Sequence, residues 1–276
     1  MVRSAGVTTL LWVLMAVACP DHGMAAGTLS SRSERFVATS LQLEQVAGDV
    51  EIVATSGSAI TLQMSGPESA LAAIQYSLQQ NTLKIDGSKA HGAVTSVSGT
   101  GVTTVVSGHS NNVSVNIGGT THRVTSGEVE QPVRIQLSVP YHTAIRVGRG
   151  VGSYRIGDME AASIHFSLSS GAAHLGQLIC PTTIEIAGSG DVEAKRVTGD
   201  LAVTVAGSGH VTIHQGQMGH LQVKLAGTGH VKVNGQAKEA DIVLTGVGDI
   251  AVTHVARKPV VQRHGVGNIT IGNWPL

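Results

Sequence analysis

The chain has 276 residues with 18 basic and 18 acidic side chains, and only 13% of its residues are charged and 3% aromatic. Balanced charge excludes the basic stripe that a nucleic-acid binder carries, and so few aromatic rings leave no stacking platform for bases. The length suits one large β domain or two small ones.

Residues 1–26 read as an export signal. Arg3 supplies a positive start, Val7 to Ala18 is apolar, and Gly23-Met24-Ala25-Ala26 offers small residues for cleavage after Ala25 or Ala26. The apolar run is too short for a permanent bilayer span, so no transmembrane segment is expected in the mature chain. The alternative is lipidation at Cys19 in Ala16-Val17-Ala18-Cys19, which Ala16 and Pro20 both weaken. Either route leaves Cys180 without a disulfide partner, a small hydrophobe rather than a nucleophile.

Residues 27–130 form an N-terminal β region. Leu41-Gln42-Leu43, Val50-Glu51-Ile52, Ile60-Thr61-Leu62 and Leu83-Lys84-Ile85 alternate apolar and polar positions, the period of a half-buried strand. Between them, Glu68 to Gln80 reads as a short helix or an irregular strand, with Leu71, Ile74 and Leu78 at helical spacing. From residue 90 to residue 122 there is no Lys, Arg, Asp or Glu. That stretch, rich in Gly, Ser, Thr and Val, lacks the bulk for a core and is expected as a long exposed insertion. Within it, Val113-Ser114-Val115-Asn116-Ile117 is suited to adding onto a strand edge.

Residues 131–276 carry a repeat. Gly188-Ser189-Gly190-Asp191, Gly207-Ser208-Gly209-His210, Gly227-Thr228-Gly229-His230, Gly246-Val247-Gly248-Asp249 and Gly265-Val266-Gly267-Asn268 follow one another at spacings of 19, 20, 19 and 19. A fixed period near 20 residues marks a solenoid, each repeat being one coil. Aligning the copies puts Ile184, Val203, Val223, Ile242 and Val261 in one column and Ile186, Val205, Leu225 and Leu244 in the next, which Arg263 breaks. After the corner stand Val192, Val211, Val231, Ile250 and Ile269, then Ala194, Ile213, Val233, Val252 and Ile271. Polar residues alternate with them, so each unit is a strand, a Gly-X-Gly corner, a strand and a return loop. The corner glycines are expected to take backbone angles that a Cβ resists. Weaker copies stand at Gly150-Val151-Gly152-Ser153, at Ser169-Ser170-Gly171 and at Ala47-Gly48-Asp49, after which the period is lost. Arg263 points to a capping last coil covered by Trp274, Pro275 and Leu276.

These corners, their period and the preceding strand Val133-Arg134-Ile135-Gln136-Leu137-Ser138-Val139-Pro140 resemble the exported bacterial auto-transporter adhesin head, or GIN, domain family over roughly residues 36–272. The resemblance implies an all-β fold ending in a right-handed, single-stranded parallel β-helix of about 19–20 residues per coil, with an N-terminal β layer. It supplies no catalytic residues. Two corners carry His210 and His230 where the family usually has Asp.

Asp191, His210, His230, Asp249 and Asn268 form the candidate site column. Stacked about 4.8 Å apart, paired imidazoles flanked by Asp191 and Asp249 have the donor set for a zinc ion, or for pH sensing through repulsion of two imidazolium rings. The simpler reading, which is preferred, has all five bonding local backbone. His174, His214, His220, His254 and His264 fall outside this column. Asp191 and Asp249 lie three coils apart, roughly 14 Å, too far for paired-carboxylate glycoside chemistry. No helix follows the Gly-X-Gly corners, which removes the nucleotide-binding reading. The expected function is therefore non-enzymatic and without a resident cofactor. It is adhesion or scaffolding in the cell envelope, at the surface or in the periplasm. The expected partner is a surface glycan, a protein or a second copy of the chain. A metal- or pH-responsive periplasmic protein is the alternative, and a polysaccharide-active enzyme a distant third.

Overall fold

The computed structural model describes residues 29–89, 95–99, 102–106, 113–117, 120–124 and 133–273. The export signal with Cys19 and the tail Trp274 to Leu276 lie outside the described residues, as do the connecting parts of the 90–122 segment. In chain order the elements are β1 (Leu29–Phe36), β2 (Ser40–Glu44), β3 (Ala47–Thr55), β4 (Ile60–Pro67), α1 (Glu68–Ala73), β5 (Gln75–Gln79) and β6 (Thr82–Asp86). Two hairpins come next, β7 (Thr95–Gly99) with β8 (Val102–Val106), and β9 (Val113–Ile117) with β10 (Thr120–Val124). Then follow β11 (Arg134–Pro140), β12 (Ala144–Ile156), β13 (Ser163–Ile179), β14 (Thr182–Thr198), β15 (Leu201–Val205), β16 (Ser208–Ile213) and β17 (Gly216–Leu225). The chain closes with β18 (Thr228–Leu244), β19 (Val247–Val255), β20 (Val260–Arg263) and β21 (Ile269–Asn273).

From β12 onward every pairing is parallel between a segment and the one a coil later, giving an all-β solenoid of about 7 turns. Alternation drives it: each coil turns every other side chain inward, so like residues stack in files. Val147, Phe166, Ile184, Val203, Val223 and Ile242 make one file, every member fully buried. Across the interior run Val192, Val211, Val231 and Ile250, also buried. The two largest core side chains, Tyr154 and Phe166, meet edge to face at 5.5 Å between centroids. The Tyr154 hydroxyl donates to the Val46 carbonyl at 2.5 Å.

The N-terminal strands join the same stack in an order different from their sequence. β2 pairs in parallel with β12 on one side and with β6 on the other, and β3 does the same between β12 and β11. The first coil made by the chain is thus the second in space. Residues after Thr55 leave the stack, build the terminal coil from β6 and β11, and then cross back to start β12. That excursion is why the period is lost after Gly48. The end is closed by antiparallel strands, β4 on β11, β1 on β4 and β5 on β6. Residues 68–80 turn out to be both candidates at once: α1 buries Leu71, Ile74 follows it buried, and Leu78 stands exposed on β5. In chain order the β7–β8 and β9–β10 hairpins fall between β6 and β11. Val113–Ile117 is paired within its own hairpin.

At the other end, Val260, Val261 and Val266 are exposed, and Arg263 turns out of the apolar file to donate to the Gly267 carbonyl at 3.2 Å. Among the described residues, no helix is long and apolar enough to cross a membrane.

The corner glycines are required by contact, and most of those in the file also by a positive φ that a Cβ resists, as expected. Gly48 and Gly248 do have positive φ, 133° and 145°, but Gly209 does not adopt the left-handed region. A Cβ on Gly209 would stand 2.1 Å from the Gly190 carbonyl oxygen, far inside van der Waals contact. Gly209→Val is expected to destabilise the fold by about 3 kcal/mol through overpacking against rigid backbone. Chemical denaturation checks this, and an unchanged midpoint would mean that the coils can separate at the corner.

Candidate functional site

Gly48, Gly152, Gly171, Gly190, Gly209, Gly229, Gly248 and Gly267 stand in one file along the solenoid. The residues on either side of each glycine therefore also stack, with their side chains outward. Behind the glycines run Ser189, Ser208, Thr228 and Val247; ahead of them run Asp191, His210, His230 and Asp249. The order expected for the site column is the order found. Together these files border an open groove of about 700 Å³ whose floor is bare glycine backbone.

Two roles divide the column. Asp191 Oδ1 accepts the backbone N–H of His210 at 3.1 Å, and Asp249 Oδ1 accepts that of Asn268 at 2.9 Å. These corner carboxylates bond the next coil rather than their own local backbone, which the sequence reading had assumed. Asp158 and Asp200 do the same at the return corner, accepting from Gln177 and His220 at 2.8 and 2.9 Å. The histidines instead face each other, with ring centroids 5.1 Å apart and planes inclined at 44°. His230 Nδ1 lies 3.4 Å from Asp249 Oδ2, while the His210 imidazole makes no ion pair among the described residues. No three His, Cys, Asp or Glu side chains among the described residues gather closely enough to hold a metal ion. Cys180 is buried, and burial raises its thiol pKa against the opposing Thr182 hydrogen bond.

A second cluster escaped the sequence reading. Glu193 bridges three coils, with His174 Nδ1 at 3.3 Å from one carboxylate oxygen and His214 Nε2 at 2.5 Å from the other. His174 stands one coil before Glu193 in the same file and was legible from the 19-residue offset. His214 reaches it diagonally from the return side, which column alignment does not show. The His214 hydrogen bond, reinforced by the charges of His214 and His174, holds the Glu193 carboxyl below its ordinary value of 4.5. A depressed carboxylate contributes stability that is present above about pH 4.5 and is lost as pH falls through its lower folded value. Carboxyl-detected NMR titration should show Glu193 titrating below the ordinary glutamate value, and returning toward it in His214→Ala. An unshifted Glu193 in the wild type would rule the bridge out.

The sequence matches the family model described as "Putative auto-transporter adhesin, head GIN domain" over residues 43–217 and again over 180–272. No curated protein matches. Among solved structures, a "putative adhesin" from Bacteroides fragilis is similar at 16% identity and a TM-score of 0.60, covering 89% of this chain and 98% of its own. A "putative lipid binding protein" from Parabacteroides distasonis is similar at 14% identity and a TM-score of 0.46, covering 90% and 96% respectively. The first of these supports the fold alone. The two model matches together run from residue 43 to residue 272, and the chain belongs to the auto-transporter adhesin head, or GIN, domain family.

Proposed function

We propose that this chain is an exported, non-enzymatic solenoid acting in cell-envelope adhesion or scaffolding through contacts repeated coil after coil. The observation that carries the reading is how its chemistry-bearing side chains are spent. Asp191, Asp249, Asp158 and Asp200 are each tied to the backbone of the next coil, so they hold the stack rather than converge on a reacting atom. General acid–base work needs two such groups poised on one substrate, whereas these are distributed one per coil. What repeats in register on the outside is Ser, Thr, Lys, Glu and His, suited to many weak contacts. Membership of a family named for adhesin heads supports the same reading.

Protease shaving of intact cells, with lysed cells as the control, tests it. Loss of the protein from intact cells is the expected result, together with weaker attachment of a deletion strain to host-matrix surfaces. Protection until lysis would overturn adhesion and leave periplasmic scaffolding.

A further inference from the structure

We propose that the corner groove is the docking site of a neutral, hydroxyl-rich linear polymer, a glycan strand lying along the solenoid axis. The proposal rests on the adhesion reading and names its ligand class. The groove spans the glycine corners from Gly171 to Gly248, five coils and so about 19 Å at the spacing of paired strands. It is open at the sides, which suits a chain passing through rather than a compact molecule.

The lining chooses among polymers. An extended peptide docks by main-chain hydrogen bonds to a free strand edge. Here the backbone N–H and C=O groups of each coil are already paired with the coils above and below, so the groove offers no such ladder. What it offers is side-chain chemistry of mixed sense. The hydroxyls of Ser189, Ser208 and Thr228 have no protein partner among the described residues, and each both donates and accepts. The neutral His210 ring adds one donor and one acceptor, His230 adds its Nε2 while its Nδ1 faces Asp249, and Asp191 adds a free carboxylate oxygen. Sugar hydroxyls likewise donate and accept, and they recur along the chain as these residues recur along the stack. Asp191 on the wall, with Asp249 beyond it, repels a polyanion at neutral pH, which selects neutral sugars over uronic acid polymers. Each coil contributes a weak contact, and affinity accumulates along the strand by multivalency.

The test uses the purified full chain at neutral pH, with cello-, laminari-, xylo- and manno-oligosaccharides as probes and oligogalacturonate and a Ser/Gly peptide as comparators. Amide shifts in NMR should map at least one neutral sugar onto residues 189–191, 208–210 and 228–230. Ser208→Trp, which fills the groove from an exposed position, should weaken that binding at least tenfold. His210→Ala should weaken it several-fold, and Lys224→Ala on the neighbouring face should leave it unchanged. Failure of every neutral sugar to bind, preference for the polyanion or the peptide, or equal effects of Ser208→Trp and Lys224→Ala would overturn the proposal. A Ser208→Trp protein that still blocks attachment of cells to matrix as the wild type does would also overturn it, while the adhesion reading would stand.

Discussion

The fold depends on one steric condition, that successive corners may touch backbone to backbone. A Cβ on Gly229 would fall 1.9 Å from the Gly209 carbonyl oxygen, and the same holds from coil to coil. Any side chain there would wedge the coils apart by more than a hydrogen bond tolerates. Because the corner is closed, the strands on both sides can keep the spacing of a parallel sheet, and the apolar files can stack without voids. The interior needs no large residues to do this, and among the described residues Tyr154 and Phe166 are its only fully buried rings.

The second constraint is electrostatic satisfaction at the corners, where the chain turns and ladder bonds are hardest to keep. Carboxylates take this task in four places, each reaching across to an amide about 19 residues later. Hydrogen bonds to an ionised acceptor are the stronger kind. His210 and His230 hold corner positions without such a bond, and their rings face solvent beside the groove.

Much of this architecture was legible because a solenoid turns long-range contact into short sequence period. The files headed by Ile184, Ile186, Val192 and Ala194 were readable from 19-residue offsets, and so was the Asp191, His210, His230, Asp249 order. Gly48 and Gly171 were recognisable as weaker corners for the same reason. Three things were not legible. The excursion between Thr55 and Ala144 has no period, since its partners β2 and β3 precede it in sequence but lie inside it in space. The direction of the Asp191 and Asp249 bonds depends on rotamer, not on residue type. The Glu193–His214 contact crosses between two files, and so no single offset reports it.

The inverted order of the first coils bears on how the polypeptide acquires its structure. A regular solenoid can grow as it emerges, each new coil adding to a surface already present. Here β2 and β3 have no surface to join until the segments that will flank them exist, β6 and β11 on one side and β12 on the other. Closing those contacts spans about a hundred residues, and long closures slow folding. Assembly therefore cannot run strictly from the first residue to the last. The regular coils downstream, whose partners lie only one coil away in sequence, offer the shorter closures.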